Sequence, residues 1–78
     1  MELIEILENN AVDIRIIGDL DANSSIELDS RLQKIFDKGQ FCLYIDCSEL
    51  RYISSAGLGV FISHLEFLKQ QKGCFIFY

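Results

Sequence analysis

The fold is decided by residues 46–60, which read DCSELRYISSAGLGV. They begin at the end of the nearly continuous apolar run FCLYIDC, residues 41–47, which is typical of a central strand covered on both faces. A polar loop comes next, and two adjacent serines stand where the apolar spacing of a helix begins. We therefore expect a buried strand, a polar loop and a helix that starts near Ser55.

That helix is predicted to end at Lys72, with Gly73 as its stop. Its predicted buried stripe consists of Leu58, Phe61, Ile62, Leu65 and Leu68. Gly57 and Gly59 are unfavourable in a helix interior by about 1 kcal/mol each, relative to alanine. Glycines in such places usually mark the close approach of another backbone or of a partner surface.

The serine pair has two interpretations. Ser54 and Ser55 could be the N-cap and first-turn residues of the helix, a role that serine often fills. One of them could instead accept a phosphate, since the free amides and the positive end of the helix dipole favour an anion there. Phosphorylation would add about −1.5 to −2 charges to an exposed surface. It would therefore act on a partner and leave the core unchanged.

Working outward towards the N-terminus, residues 1–20 are predicted to form a β-hairpin. Asn9 and Asn10 tolerate the positive φ angles of a tight turn, and Val12, Ile14 and Ile16 alternate with polar residues. Residues 18–21, which read GDLD, are then expected to leave the sheet.

A first helix is predicted after this hairpin. Ser24 and Glu27 have the spacing of a capping box, in which each side chain bonds to a free amide at the helix start. The apolar stripe of this helix consists of Leu28, Leu32, Ile35 and Phe36. Gly39 suits the left-handed position at which a helix stops.

The predicted order of elements is β-β-α-β-α-β, with residues 74–78 as the last strand. This order indicates an α/β fold with a largely parallel mixed sheet and an antiparallel hairpin at one edge. Both helices are expected on one face. Nothing in residues 1–78 is predicted to cover the other face or the apolar last strand, so we expect further chain, a partner protein or a homodimer to cover them.

Composition limits the classes of function. The 78 residues predict a single domain, 1–78, and its 50% hydrophobic and 24% charged residues indicate a folded chain. A net charge of −5 argues against binding to nucleic acid or to an anionic membrane. No run approaches the ~20 apolar residues of a membrane span, and no secretory signal is visible. We expect a cytoplasmic domain without direct membrane insertion.

No cofactor or metal site is predicted. The cysteines Cys42, Cys47 and Cys74 form no C-x-x-C pair, and we interpret them as reduced, buried thiols. The chain also contains no phosphate-binding loop of the P-loop type.

We do not expect an enzyme. Ser55, His64 and Asp46 are the only available nucleophile, base and orienting carboxylate. Nine residues of helix would separate Ser55 from His64 by about 13 Å along the axis. A nucleophile and its base must be within hydrogen-bonding distance, so this set is not predicted to be catalytic.

Two patterns in the chain resemble the STAS domain, a family named for sulfate transporters and anti-sigma factor antagonists. Residues 18–21 look like the family's G-x-L-D stretch, which closes its second strand. Residues 46–59 look like its next strand followed by its D-S-S-G-L-G phosphorylation loop. The resemblance covers all 78 residues.

The resemblance implies a switchable binding module in bacterial signalling. Unphosphorylated stand-alone members bind an anti-sigma factor that is also a serine kinase, which releases a sigma factor for transcription. Phosphorylation by that kinase ends the binding, and a serine phosphatase resets the switch. By position, Ser55 is the implied acceptor and Ser54 the alternative. The implied partner-binding residues are Asp21, Ser54, Ser55, Gly57, Leu58 and Gly59.

This chain departs from the family pattern in two ways. Ser54 replaces a frequent aspartate and Ala56 a second serine or threonine, so kinase recognition is expected to differ. Members usually continue beyond the strand at 74–78 with further helices, so we expect this domain to lack its usual C-terminal elements. The alternative function is an unswitched STAS accessory subunit of a transporter or signalling complex, since a fold alone does not fix function.

Overall fold

The computed structural model describes residues 1–78, which form five strands and two helices. The elements are β1 (Glu2–Glu8), β2 (Ala11–Leu20), α1 (Ala22–Asp37), β3 (Cys42–Asp46), β4 (Leu50–Ile53), α2 (Ser55–Gln70) and β5 (Cys74–Phe77). This is the predicted order with one addition, because the segment expected to be a polar loop contains the short strand β4.

The sheet is mixed and largely parallel, as predicted. β1 and β2 form an antiparallel hairpin, in which Asn9 and Asn10 adopt the positive φ angles of 48° and 67°. β2 pairs in parallel with β3, and β3 with β5, which gives the order β1-β2-β3-β5. The α/β fold class is therefore confirmed.

Strand β2 has two parallel partners in succession. Residues 12–15 pair with β3, and residues 18–20 pair with β4. The change occurs at Gly18, where φ is 97° and the register shifts, and the Gly18 amide donates to the Glu49 carbonyl at 3.0 Å. The expectation that residues 18–21 leave the sheet is thus wrong, since pairing continues to Leu20.

Both helices pack on one face of the sheet, as predicted. A single cluster of buried apolar side chains joins β2 and β3 to both helices; it consists of Val12, Ile14, Ile16, Leu20, Leu28, Leu32, Ile35, Phe36, Leu43, Ile45, Phe61 and Leu68. The opposite face is open: Tyr44, which alternates with Leu43 and Ile45 along β3, is 38% exposed. This agrees with the expectation that nothing in residues 1–78 covers the second face, and its cover by further chain or a partner stays a prediction.

Helix α1 starts earlier than the sequence pattern predicts. Its N-cap is Asp21, whose carboxylate accepts from the Ser24 amide at 2.9 Å, while the Ser24 hydroxyl accepts from the Asp21 amide at 2.8 Å. The capping box is therefore Asp21 with Ser24, and the predicted pair of Ser24 with Glu27 is wrong. Both pairs have the same spacing, and the end of β2 at Leu20 selects the earlier one.

Helix α2 buries only part of the predicted stripe, Phe61 and Leu68. Gly57, Phe61 and Leu68 are buried, and the His64 side chain is only 12% exposed, whereas Ile62 is 64% exposed. Leu58 and Leu65 are also exposed, and together with Ile62 they line an apolar groove of about 340 Å³ between α2, β4 and β5. The side of α2 that carries Gly57 and His64 faces inward for two reasons. Gly57 lets the helix approach the sheet closely, and His64 has a polar partner on α1. Neither helix has the length and apolar character needed to cross a bilayer.

The end of α2 also differs from the prediction. The helix ends at Gln70, and Lys72 adopts the left-handed φ of 58° that was expected of Gly73. Gly73 is required for space, since a Cβ there would lie 2.2 Å from the Phe41 carbonyl oxygen. The first helix ends as predicted, with Gly39 at a φ of 81°.

A buried carboxylate holds the turn between β3 and β4. Asp46, which is 6% exposed, accepts from the Ser48 amide at 2.9 Å and from Arg15 Nε at 3.1 Å. Ser48, through its hydroxyl and its amide, lowers the pKa of Asp46 below its ordinary value, and Arg15 lowers it further. The ionised form is therefore stabilised in the folded state.

The Asp46 contribution to stability is predicted to disappear in acid. Because its folded-state pKa is lowered, the contribution is complete at neutral pH and is lost as the pH falls below about 4. Asp46→Asn should lower Tm at pH 7, and the gap to the wild type should shrink in thermal unfolding at pH 5, 4 and 3. Asp37→Asn is the control, since Asp37 is exposed and makes no ion pair. A gap for Asp46→Asn that stays constant with pH would contradict the prediction.

Candidate functional site

The starts of the two helices lie side by side at one end of the sheet. Leu20 and Ile53 are register partners at the ends of β2 and β4, and the Ser54 amide donates to the Leu20 carbonyl at 2.9 Å. Asp21 and Ser54 follow these paired residues and cap α1 and α2. Parallel pairing of two strands thus brings two helix N-termini, with their free amides, to the same edge.

Ser54 is occupied with capping. Its hydroxyl oxygen accepts from the Gly57 amide at 3.1 Å, and its carbonyl accepts from the Leu58 amide at 3.0 Å. Its backbone is extended, with φ −84° and ψ 167°, as expected of an N-cap residue. This half-buried hydroxyl therefore caps the N-terminus of α2.

Ser55 is the first residue of α2 and its hydroxyl is free. The side chain is exposed and makes no hydrogen bond with the protein. No acidic residue lies in the first turn of α2, so the positive end of the helix dipole is not neutralised there. Of the two serines, Ser55 has the accessible nucleophilic oxygen.

Asp21 lies at the neighbouring helix start. Hydrogen bonds from Ser24, first from its amide and then from its hydroxyl, lower the pKa of Asp21. Its carboxylate is therefore ionised near neutral pH and remains exposed while it caps α1. It adds a fixed negative charge to the edge that also carries Ser55.

The three residues after Ala56 differ in their positions on α2. Gly57 is buried, and a Cβ there would lie 2.7 Å from Leu20 Cγ and 3.1 Å from Ile53 Cγ1. Leu58 is 50% exposed, and Gly59 is exposed with nothing within 4 Å of the position of a Cβ. Of the implied partner-binding glycines, Gly57 therefore supports the packing of α2, and only Gly59 lies at the surface.

Sequence reasoning missed two contributors to this edge. Leu20 provides both the carbonyl that positions Ser54 and the side chain over which Gly57 packs; its only signal was the leucine of the GDLD pattern. Arg51 and Asp19 form an exposed ion pair of 3.5 Å across β4 and β2. Such an exposed pair adds little stability and carries no net charge.

The residues of the rejected catalytic set lie apart, each with other partners. His64 Nε2 bonds to Asp29 Oδ1 at 2.7 Å and links the two helices, while its ring packs edge-on against Phe36 at 5.3 Å. Asp46 is bound to Arg15 and to the Ser48 amide. The free hydroxyl of Ser55 therefore has neither a base nor an orienting carboxylate from this set.

Comparison of the sequence with known families and proteins gives consistent matches. The model of the STAS domain family matches residues 4–78. Over 71 residues the chain is 34% identical to the anti-sigma-B factor antagonists of Listeria monocytogenes and of Listeria innocua. These matches cover 88% of the chain and 62% of each relative, so the chain spans less than two thirds of their length.

Solved structures share the fold at low sequence identity. The unphosphorylated anti-sigma factor antagonist SpoIIAA matches with a TM-score of 0.84 and 18% identity, over 97% of this chain and 71% of its own. The phosphorylated form of the Bacillus protein SpoIIAA matches with a TM-score of 0.80, over 96% of this chain and 69% of its own, at 18% identity. An antisigma-factor antagonist STAS domain from Rhodobacter sphaeroides matches with a TM-score of 0.74 and 12% identity, over 97% of this chain and 83% of its own.

The same substitution is predicted to have opposite effects at the two glycines of α2. Gly57→Ala should lower the free energy of unfolding by about 1–3 kcal/mol, because the new methyl group would overlap with the fully buried Leu20. Gly59→Ala should raise it by about 0.5–1 kcal/mol, since it adds helix propensity at an open position. Denaturant unfolding of both variants measures this difference. A Gly57→Ala variant as stable as Gly59→Ala would refute the close packing of α2 on Leu20.

Proposed function

The chain belongs to the STAS domain family, and we propose that it acts as an anti-sigma factor antagonist switched by phosphorylation of Ser55. In this proposal the unphosphorylated domain binds an anti-sigma factor through the edge that carries Asp21, Ser55, Leu58 and Gly59. A phosphate on Ser55 weakens that binding. The domain acts as a binding module and catalyses no reaction.

The free hydroxyl of Ser55 at the start of α2 is the observation that carries the proposal. A kinase must reach the acceptor oxygen, and Ser55 is exposed whereas the hydroxyl of Ser54 is bound to the Gly57 amide. A phosphate on Ser54 would break this cap, whereas a phosphate on Ser55 leaves it intact. This geometry favours Ser55 over Ser54 as the acceptor.

The fold is suited to carry the phosphate. At the first position of a helix the added charge interacts favourably with the dipole and with amides that have no partner within the helix. SpoIIAA, which shares this fold, has solved structures in its unphosphorylated and phosphorylated forms. We therefore expect phosphorylation to change the surface and to leave the core as it is.

The effect of the phosphate falls on the partner. It adds about two negative charges to a domain that already carries −5, next to the carboxylate of Asp21. A partner surface that fits closely around the neutral Ser55 would have no group to balance the charge of a phosphate on this residue. Like-charge contact or desolvation of a charge across an interface costs several kcal/mol, and each 1.4 kcal/mol is a factor of about ten in affinity.

The names of the Listeria relatives support the choice of partner. Both are anti-sigma-B factor antagonists at 34% identity, and the role is proposed here for a chain that spans 62% of their length. The proposed partners are an anti-sigma factor with serine kinase activity and a serine phosphatase that removes the phosphate. Because sigma factors act on transcription, the proposed location is the cytoplasm.

Ser55→Asp is predicted to weaken binding to the anti-sigma factor by at least about tenfold, because it places a fixed negative charge at the acceptor position. Ser55→Ala should bind as the wild type does and accept no phosphate. Isothermal titration measures Kd, and mass spectrometry after incubation with the kinase and ATP locates the phosphate.

Two variants control for effects on the helix itself. Ser63→Asp adds the same charge at an exposed serine of α2, about 12 Å further along the axis, and should leave Kd unchanged. Ser54→Ala should lower the free energy of unfolding by about 1 kcal/mol through loss of the cap but still permit phosphorylation of Ser55. Unchanged binding by Ser55→Asp together with no phosphate on either serine would instead favour an unswitched STAS subunit.

Asp21→Asn tests the start of α1 separately from the start of α2. Asparagine caps helices as well as aspartate does, so stability should change little while the negative charge is lost. We expect weaker binding or slower phosphorylation, measured by titration and by the rate of phosphate incorporation. Glu27→Gln on the same helix is the matched control, since Glu27 is exposed and takes no part in the capping box. Wild-type values for Asp21→Asn in both assays would remove Asp21 from the site.

A further inference from the structure

Two of the three cysteines are direct neighbours in the sheet. Cys42 and Cys74 are the first residues of β3 and β5 and are register partners in this parallel pair. Adjacent strands lie about 4.7–4.9 Å apart, which falls within the range of Cα separations that a disulfide spans. Register partners also project their side chains on the same face, so the two thiols point to the same side.

The backbone fixes this juxtaposition. The Cys74 amide donates to the Phe41 carbonyl at 3.0 Å, so the start of β5 is bonded to the residue that precedes Cys42. Gly73 packs against the same residue, and a Cβ at position 73 would lie 2.2 Å from the Phe41 carbonyl oxygen. The two strand starts are thus held together by close contact and by a hydrogen bond.

The pair lies on the open face of the sheet. Cys42 alternates with Leu43, which is buried under the helices, and it borders a cavity of about 530 Å³ together with Tyr44 and Asp13. Cys74 is exposed and Cys42 is half-buried, so the sequence-based interpretation of three buried thiols is wrong for Cys74. Burial, followed by the proximity of Cys74, raises the pKa of the Cys42 thiol.

The third cysteine has different surroundings. Cys47 packs against the buried core and lines the apolar groove on the helix side of the sheet. Its thiol lies 3.7 Å from the Ile45 carbonyl oxygen, and burial raises its pKa. It therefore serves as an internal control for the other two.

We propose that Cys42 and Cys74 form a reversible intramolecular disulfide when the protein meets a peroxide. The Cys74 thiol gives up its proton and its sulfur attacks one oxygen of hydrogen peroxide; the O–O bond breaks, the departing hydroxide takes up a proton, and a sulfenic acid and water result. The Cys42 sulfur then attacks Cys74 Sγ, and the S–O bond breaks with release of a second water. Two thiols lose two protons and two electrons, and one peroxide is reduced to two waters. A dithiol reductant reverses the reaction.

The bond would tether an edge strand. β5 pairs only with β3, and its other edge is open. A link at its first residue closes the loop of residues 43–73 and should raise Tm by about 10–25 °C. The amides of β5 should exchange more slowly with solvent. The pair lies at the amino ends of its strands, away from Ser55, so this inference does not depend on the proposed function.

The test is thiol counting on the reduced chain of residues 1–78 after treatment with hydrogen peroxide. Samples are quenched with catalase, alkylated without reduction and analysed by intact mass and peptide mapping. We expect one alkylated thiol, Cys47, and a peptide that links Cys42 to Cys74. Cys47→Ala should form the same bond at the same rate. Cys42→Ser should instead leave a sulfenic acid on Cys74 that dimedone traps.

Three results would overturn the proposal. One is three alkylated thiols after peroxide has fully oxidised a small reference thiol in the same solution. Another is a bond that includes Cys47. The third is an observed rate constant for disulfide formation that rises with protein concentration, together with disulfide-linked dimers on non-reducing gels. The rate constant of an intramolecular step does not depend on protein concentration.

Discussion

The close contact between α2 and the end of β2 is the constraint on which the rest of the structure depends. Leu20 lies under Gly57, at a distance that leaves no room for a Cβ, and its carbonyl accepts from the Ser54 amide. This contact fixes the rotation of α2, so that Phe61 faces the core and Leu58 faces outward. It also brings the start of α2 next to Asp21 at the start of α1. A residue larger than glycine at position 57 would move all of these together.

Because the strands are parallel, the helix starts lie at one end of the sheet and the pair of thiols lies at the other. At the carboxyl ends of β2 and β4 the chain turns into helices, so free amides and the positive ends of two dipoles meet there, an environment that favours an anion. At the amino ends of β3 and β5 the strands enter from tight turns, and here two thiols are placed side by side. In our proposals, the first end changes its charge by phosphorylation of Ser55 and the second changes its covalent links by joining Cys42 to Cys74.

The elements that could be predicted were those with local signals. Asn9 and Asn10 marked the hairpin turn, Gly39 marked the end of α1, and the strand-helix alternation indicated a largely parallel sheet. Predictions failed where two local patterns competed: Asp21 with Ser24 and Ser24 with Glu27 have the same spacing, and only the end of β2 selects between them. They failed again in α2, which is apolar on most of its surface, so that periodicity alone did not fix the buried side.

The sequence by itself determined the class of the fold, its family and the serine pair at the start of α2, because strand runs, glycine stops and the SSAGLG pattern are local features of the chain. Only the tertiary structure decided which serine is free and which glycine is buried. Both answers depend on Leu20, which lies more than thirty residues away along the chain. The adjacency of Cys42 and Cys74 likewise follows from the register of β3 and β5, and register arises from packing between distant segments rather than from either segment alone.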